Sequence, residues 1–150
     1  MLKEILSVSG KPGLFKLISQ GKNMFIAESL LDHKRGPVYM RDKVISLGDI
    51  SIYTDEEEKP LREVLHNIQE KENGQEIAFD KNISSEELKK YFESVLPNFD
   101  KDRVYPSDIR KIMSWYNLLV KEGLADFSEE EKTEPEEEKA EETALIEENI

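Results

Sequence analysis

The period of hydrophobic and polar positions changes along the chain, and the change divides it into three stretches. Up to about residue 55 the apolar residues come in short runs, at 13–19, 23–31, 36–41 and 45–54, rich in Phe, Ile, Leu, Val and Tyr. Turn chemistry separates these runs: Gly21-Lys22-Asn23, then Asp32-His33-Lys34-Arg35-Gly36, then Asp42-Lys43. In the last run Ile50 and Ile52 alternate with Ser51 and Tyr53, the period of two expected of a half-buried strand. Gly48 inside that run predicts a bulge or bend. Four or five short antiparallel strands follow from this spacing, forming a small twisted sheet or barrel.

Beyond the acidic run Asp55-Glu56-Glu57-Glu58 the period becomes helical. Pro60 stands where a first helical residue belongs, and Leu61, Val64, Leu65 and Ile68 share one face before Gly74. Ser84-Ser85-Glu86-Glu87 supplies a capping box, after which Leu88, Tyr91, Phe92 and Val95 form a second stripe ending before Pro97. Ser107-Asp108 opens a third helix with Ile109, Ile112, Met113, Tyr116 and Val120 on one face and Gly123 beyond its end. No single amphipathic helix buries its stripe alone, so the three pack together, on the sheet, or both.

From Ser128 onward the apolar period stops, which predicts a disordered tail. Eleven Glu and two Lys give residues 129–150 a net −9 out of the chain's −12. The acidic balance is therefore a property of this stretch, and the remaining residues carry only 22 acids against 19 bases. Its one apolar interruption is Ala144-Leu145-Ile146, with Ile150 further on, where Glu-rich surroundings favour a helix induced by a partner.

The pattern thus reads as an α+β protein: a small antiparallel β-barrel or sheet at 1–58, a three-helix unit at 59–127 and the acidic tail at 128–150. In strand length and hairpin spacing the first part resembles SH3-like or Sm-like small barrels, without their signature residues. The absence of Cys excludes disulfides, thiolate metal sites and a Cys nucleophile. Residues 1–6 lack the basic leader and apolar run of a signal peptide, and no stretch nears the roughly 20 apolar residues of a membrane span. The expected location is cytoplasmic, which makes Asn82-Ile83-Ser84 a chance match to a glycosylation signal.

Candidate chemistry is sparse. Helix, Asp100-Lys101-Asp102 loop and helix imitate an EF-hand, which needs Gly at the sixth and Glu at the twelfth loop position. Tyr105 and Lys111 stand there when counting from Asp100, and Arg103 and Ile109 when counting from Asn98. Asp100 and Asp102 are therefore expected to cap the loop, with a divalent metal as a minor alternative. Gly10-Lys11-Pro12-Gly13 is too short for a phosphate loop and reads as a type II turn. Two histidines, His33 and His66, make neither a zinc site nor a triad. No cofactor and no enzymatic activity are expected.

Recognition is the function that remains. Residues 1–50 hold eight bases against five acids, interleaved with Phe15, Phe25, Tyr39 and Tyr53, as a nucleic-acid stacking surface requires. The candidate binding residues are Lys16, Arg35, Tyr39 and Arg41 on the β part. Trp115 on the third helix joins them, because it falls off the main stripe together with Leu118 and is of hot-spot type. The expected activity is non-enzymatic interaction or regulation with another protein as partner. RNA, DNA or ribosome association through the β part is the alternative.

Through LKEILSVSGKPGLFKLISQ, ISLGDISIYTDEEE, ELKKYFESVLPNFDKDRVYPSDIRKIMSWYNLL and the Glu-rich end, the chain resembles a family of small uncharacterised proteins of Bacteroidetes-type bacteria. The resemblance spans about residues 1–125. It implies a β-rich domain followed by a helical one, and it assigns no activity and no functional residue.

Overall fold

The computed structural model describes residues 2–39, 42–80 and 82–127. The stretch 128–150, expected to be disordered, lies outside the described residues. The chain divides into two compact units, the first ending at Leu47 and the second running from Gly48 to Phe127.

In the first unit a 3-10 turn, Leu2–Glu4, leads into β1 (Ile5–Val8), followed by β2 (Phe15–Gly21), β3 (Met24–Ser29), β4 (Arg35–Tyr39) and β5 (Val44–Ser46). All ladders are antiparallel, in the order β4-β3-β2-β1-β5. Among the described residues no ladder joins β4 to β5, so the sheet is open and the expected SH3-like barrel does not close. The hairpin spacing fixes neighbours, but closure needs a further ladder that the three-residue β5 does not provide.

Two local expectations are corrected. Ile5 and Leu6 are both buried, so β1 shows no alternation and the sequence pattern misses it. The bulge lies in β2 between Leu17 and Ser19, with Ile18 as the extra residue. At Gly48, where a bulge or bend is expected, the chain bends through a 3-10 turn, Leu47–Asp49, which breaks the run read as one strand.

One sheet face carries the core: Leu6, Val8, Phe25, Ala27, Val38 and Val44, with Phe15 and Leu17 packed against them. Each fully buried Val, Leu or Phe here is worth roughly 1.5–3 kcal/mol relative to exposure. The Ser29 N–H donates to the Lys34 carbonyl at 2.9 Å, which sets the phase of the β3–β4 ladder. By alternation the backbone groups of Arg35, Pro37 and Tyr39 then point to the outer edge of the sheet. Pro37 has no N–H to offer there. The Tyr39 N–H donates to Asp42 Oδ2 at 3.1 Å, and its carbonyl accepts from the Asp42 N–H at 2.9 Å. The β4 edge is thereby blunted against strand addition.

The second unit opens with a two-stranded ribbon, β6 (Ser51–Ile52) against β7 (Lys59–Pro60). Thr54 folds the connection: its buried hydroxyl donates to the Glu57 carbonyl and accepts from the Glu56 N–H. Three helices follow, α1 (Leu61–Lys71), α2 (Ser85–Val95) and α3 (Pro106–Lys121). Pro60 is the N-cap of α1 and not its first residue. The α1 stripe is buried as its period predicts. On α2, Leu88, Phe92 and Val95 are buried, while Tyr91 is half-buried and donates to Glu72 Oε2 at 2.6 Å. Burial, and secondly that bond, push the Tyr91 phenol well above its ordinary pKa. On α3 the stripe ends at Leu119, with Val120 only half-buried. Asp108 caps this helix by accepting from the Tyr105 N–H at 3.0 Å.

Segment 75–79 has no ladder of its own, so α3 side chains satisfy its backbone. Asn117 Oδ1 accepts from the Ile77 N–H at 2.6 Å, and Asn117 Nδ2 donates to the Ile77 carbonyl at 3.0 Å. The Tyr116 hydroxyl donates to the Gln75 carbonyl at 2.8 Å. Asn117→Leu strands two peptide groups beside the buried Ile77 and is expected to cost about 1–3 kcal/mol in urea unfolding. An unchanged midpoint would show that the Asn117 bracket contributes nothing.

Candidate functional site

Strands β1 to β4 form a meander, so alternate turns lie at one end of the sheet. That geometry brings the β1–β2 turn beside the β3–β4 turn, and the Leu30 N–H donates to the Leu14 carbonyl at 2.9 Å between them. Gly13 takes φ = 76°, and a Cβ there would lie 2.7 Å from the Leu31 side chain. Only glycine lets the two turns approach this closely.

Between the turns and the sheet lies a cleft of about 320 Å³. Its apolar lining includes Phe15, Leu31 and Val38, and its floor includes Ala27 and Gly36, which face each other across the β3–β4 ladder. A Cβ on Gly36 would meet no atom within 4 Å, so the floor is open at this position because the residue has no side chain. Lys11, Lys34 and Arg35 bring positive charge to the lining, against the single acid Asp32. Asp32 Oδ1 accepts from the Lys34 N–H at 3.0 Å, which turns that carboxylate toward its own loop. Among the described residues neither Lys11 nor Lys34 has a carboxylate partner. The wider field has the same sign. Residues 1–47 hold eight Lys and Arg against four Asp and Glu, a net +4, whereas 48–127 sum to −7.

The residues singled out from the sequence are only partly gathered here. Lys16 and Arg35 do share one cross-strand row, but Glu28 stands between them. Arg35 Nε donates to Glu28 Oε1 at 3.0 Å, and His33 Nδ1 lies 3.4 Å from Glu28 Oε2. Tyr39 is on the same strand as Arg35 and is exposed. Lys16 and Tyr39 do not line the cleft, and Arg41 lies outside the described residues. Phe25 fills the core, so the four interleaved aromatics do not make one platform.

In the second unit Trp115 and Leu118 are half-buried on α3, unlike the exposed Tyr53 and Tyr105. The Asp100 loop is closed by its own hydrogen bonds. Asp100 Oδ1 accepts from the Asp102 and Arg103 N–H groups at 2.9 and 3.3 Å, and Oδ2 accepts from Arg103 Nε at 2.9 Å. The Arg103 guanidinium, which also lies 4.2 Å over the Tyr53 ring, holds the Asp100 carboxyl below its ordinary range. Among the described residues no three His, Asp or Glu are placed to hold a metal. Nor is any helix among them long and apolar enough to cross a membrane.

Two family models match the chain. Residues 2–47 match a domain of unknown function (DUF5606), and residues 50–119 match a second (DUF6852). A solution NMR structure of a Bacteroides vulgatus protein, a structural genomics target, is 56% identical to the chain. The alignment covers 85% of this chain and 91% of that one, with a TM-score of 0.71. The chain belongs to that family. No curated protein matches it. The family resemblance read from the sequence is thus correct, with a β-rich part first and a helical part second.

Sequence reasoning passed over Lys34 and Lys11 because each reads as an ordinary turn residue. Their one shared signal is position, since each stands two residues from a glycine in alternate turns of a meander.

The row through Glu28 makes a pH prediction. Hydrogen bonds from Arg35, and then from His33, hold the Glu28 carboxyl below its ordinary range. A carboxyl lowered on folding stabilises the fold fully above its unfolded pKa of about 4.3. That contribution is lost as pH falls through the lower folded value. A carbon-13 titration is expected to place the Glu28 midpoint below that of the exposed glutamates. Arg35→Gln should raise it, and an unmoved midpoint would remove Arg35 as the cause.

Proposed function

We propose that the protein is a non-enzymatic interaction module whose first unit binds an acidic segment of a protein partner. The supporting observation is the cleft, where open apolar walls stand beside two cations without carboxylate partners. An apolar side chain of the ligand fills the space over Gly36, and its flanking carboxylates approach Lys11 and Lys34. At about 320 Å³ the cleft is near the lower end of ligand sites, which run to roughly 1,000 Å³, and it suits one or two side chains better than a large cofactor. Recognition through side chains also agrees with the blunted β4 edge, because a peptide adding as a sixth strand would meet Pro37.

Nucleic-acid binding is the second reading, favoured by the net +4 of residues 1–47 and by exposed Tyr39. Glu28 between Lys16 and Arg35 argues against it, as does the loss of Phe25 to the core.

Fluorescence anisotropy with the full chain separates the two. A labelled peptide carrying an apolar residue between glutamates should bind. Lys11→Ala with Lys34→Ala should weaken it by about 2–30-fold, from roughly 0.2–1 kcal/mol for each exposed pair. Gly36→Val fills the floor, suits a strand and should abolish binding while leaving the unfolding midpoint in place. Binding of single-stranded RNA alone, with affinity falling steeply as salt rises, would put the second reading first.

A further inference from the structure

We infer that the cleft is occupied in cis by this chain's own acidic stretch, through Ala144-Leu145-Ile146. The inference rests on the proposed cleft function and names its resident ligand. Residues 141–148 read Glu-Glu-Thr-Ala-Leu-Ile-Glu-Glu, an apolar triplet between two pairs of carboxylates. This is the chemistry that the cleft is built to take, with apolar walls at Phe15, Leu31 and Val38 and the cations Lys11 and Lys34 beside them. The charges agree over a longer range as well: residues 1–47 sum to +4 and residues 129–150 to −9. No other stretch beyond Phe127 has three consecutive apolar residues.

Sixteen residues separate Phe127 from Ala144, and a segment of that length extends to roughly 55 Å. Tethering also removes the need for high affinity. A short linker presents its end at an effective concentration on the order of 1 mM, so a site with a dissociation constant of ~1 mM is half filled. Two exposed ion pairs and one seated Leu or Ile suit such a weak, displaceable contact. The stretch then acts as a competitor that an external acidic segment must displace, setting a threshold for partner binding.

The absence of Cys makes the test direct, because Asn149→Cys gives a unique attachment point for a nitroxide in the full chain. Paramagnetic broadening of amide signals is expected at Lys11, Ser29 and Gly36 and not at the other end of the sheet. Leu145→Ser with Ile146→Ser should remove it. The same double substitution should tighten binding of the acid–apolar–acid peptide added in trans. Broadening that appears only between nitrogen-15-labelled chains and separate spin-labelled chains would overturn the contact in cis. No selective broadening, with peptide binding unaltered by the double substitution, would overturn the tail contact and leave the cleft reading standing. If neither chain binds the peptide and no broadening appears, both readings fall.

Discussion

Packing on one face of the five-stranded sheet governs the first unit. Leu6, Val8, Phe25, Ala27, Val38 and Val44 bury most of that face, but Gly36, opposite Ala27 in the ladder, leaves the space above it unfilled. A close-packed interior tolerates few such gaps. This one lies at the surface, where the two turns held together by Gly13 and Leu31 wall it into a cleft. The same ladder phase that sets Gly36 on the floor turns the backbone of Pro37 outward. One register therefore creates a side-chain site and blunts the neighbouring edge against strand addition.

The second unit is governed by satisfaction of polar groups around a helical core. Its stripes supply apolar burial, with Phe92 and Phe99 meeting edge to face at 5.0 Å between centroids. The connections between helices are too irregular for ladders, and side chains take their place. Asn117 brackets Ile77, Tyr116 reaches Gln75, and Asn67 Nδ2 donates to the Val95 carbonyl at 3.1 Å. The Asp100 loop is another instance: carboxylate chemistry that imitates a cation site is spent on the Asp102 and Arg103 N–H groups and the Arg103 guanidinium.

Charge is partitioned more sharply than the overall −12 suggests. The sheet unit is basic, the helical unit acidic, and the stretch beyond it more acidic still. On the sheet itself the partition is finer. Glu28 stands between Lys16 and Arg35 and pairs with Arg35, whereas Lys11 and Lys34 line the cleft without a carboxylate partner among the described residues. In the proposed function the net charge of the unit draws an acidic ligand, and Lys11, Lys34 and the apolar gap beside them place it. Exposed pairs of this kind are individually weak, which suits exchange between a tethered segment and a competing one.

Periodicity alone determined the three helices and the whole α1 stripe, because a 3.6-residue repeat is a local property and Leu61, Val64, Leu65 and Ile68 follow it. Packing decided that Tyr91 and Val120 are only half-buried and that Leu119 ends the α3 stripe. Turn residues likewise determined the β2–β3 and β3–β4 hairpins and the glycine at position 13. Tertiary structure decided the rest. Strand β1 is covered on both sides of its Ile5-Leu6 pair, so alternation could not reveal it. The bulge at Ile18 has no local signal that separates it from a regular strand, whereas Gly48 marked the break at Leu47–Asp49 without giving its form. The candidate site was legible only in its ingredients. Arg35 was identified, but its guanidinium is tied to Glu28 seven residues away in sequence. Lys11 and Lys34 became partners only when alternate turns met at one end of the meander. A sequence states which residues can bear charge or fill space, and only the folded register states which of them face the same gap.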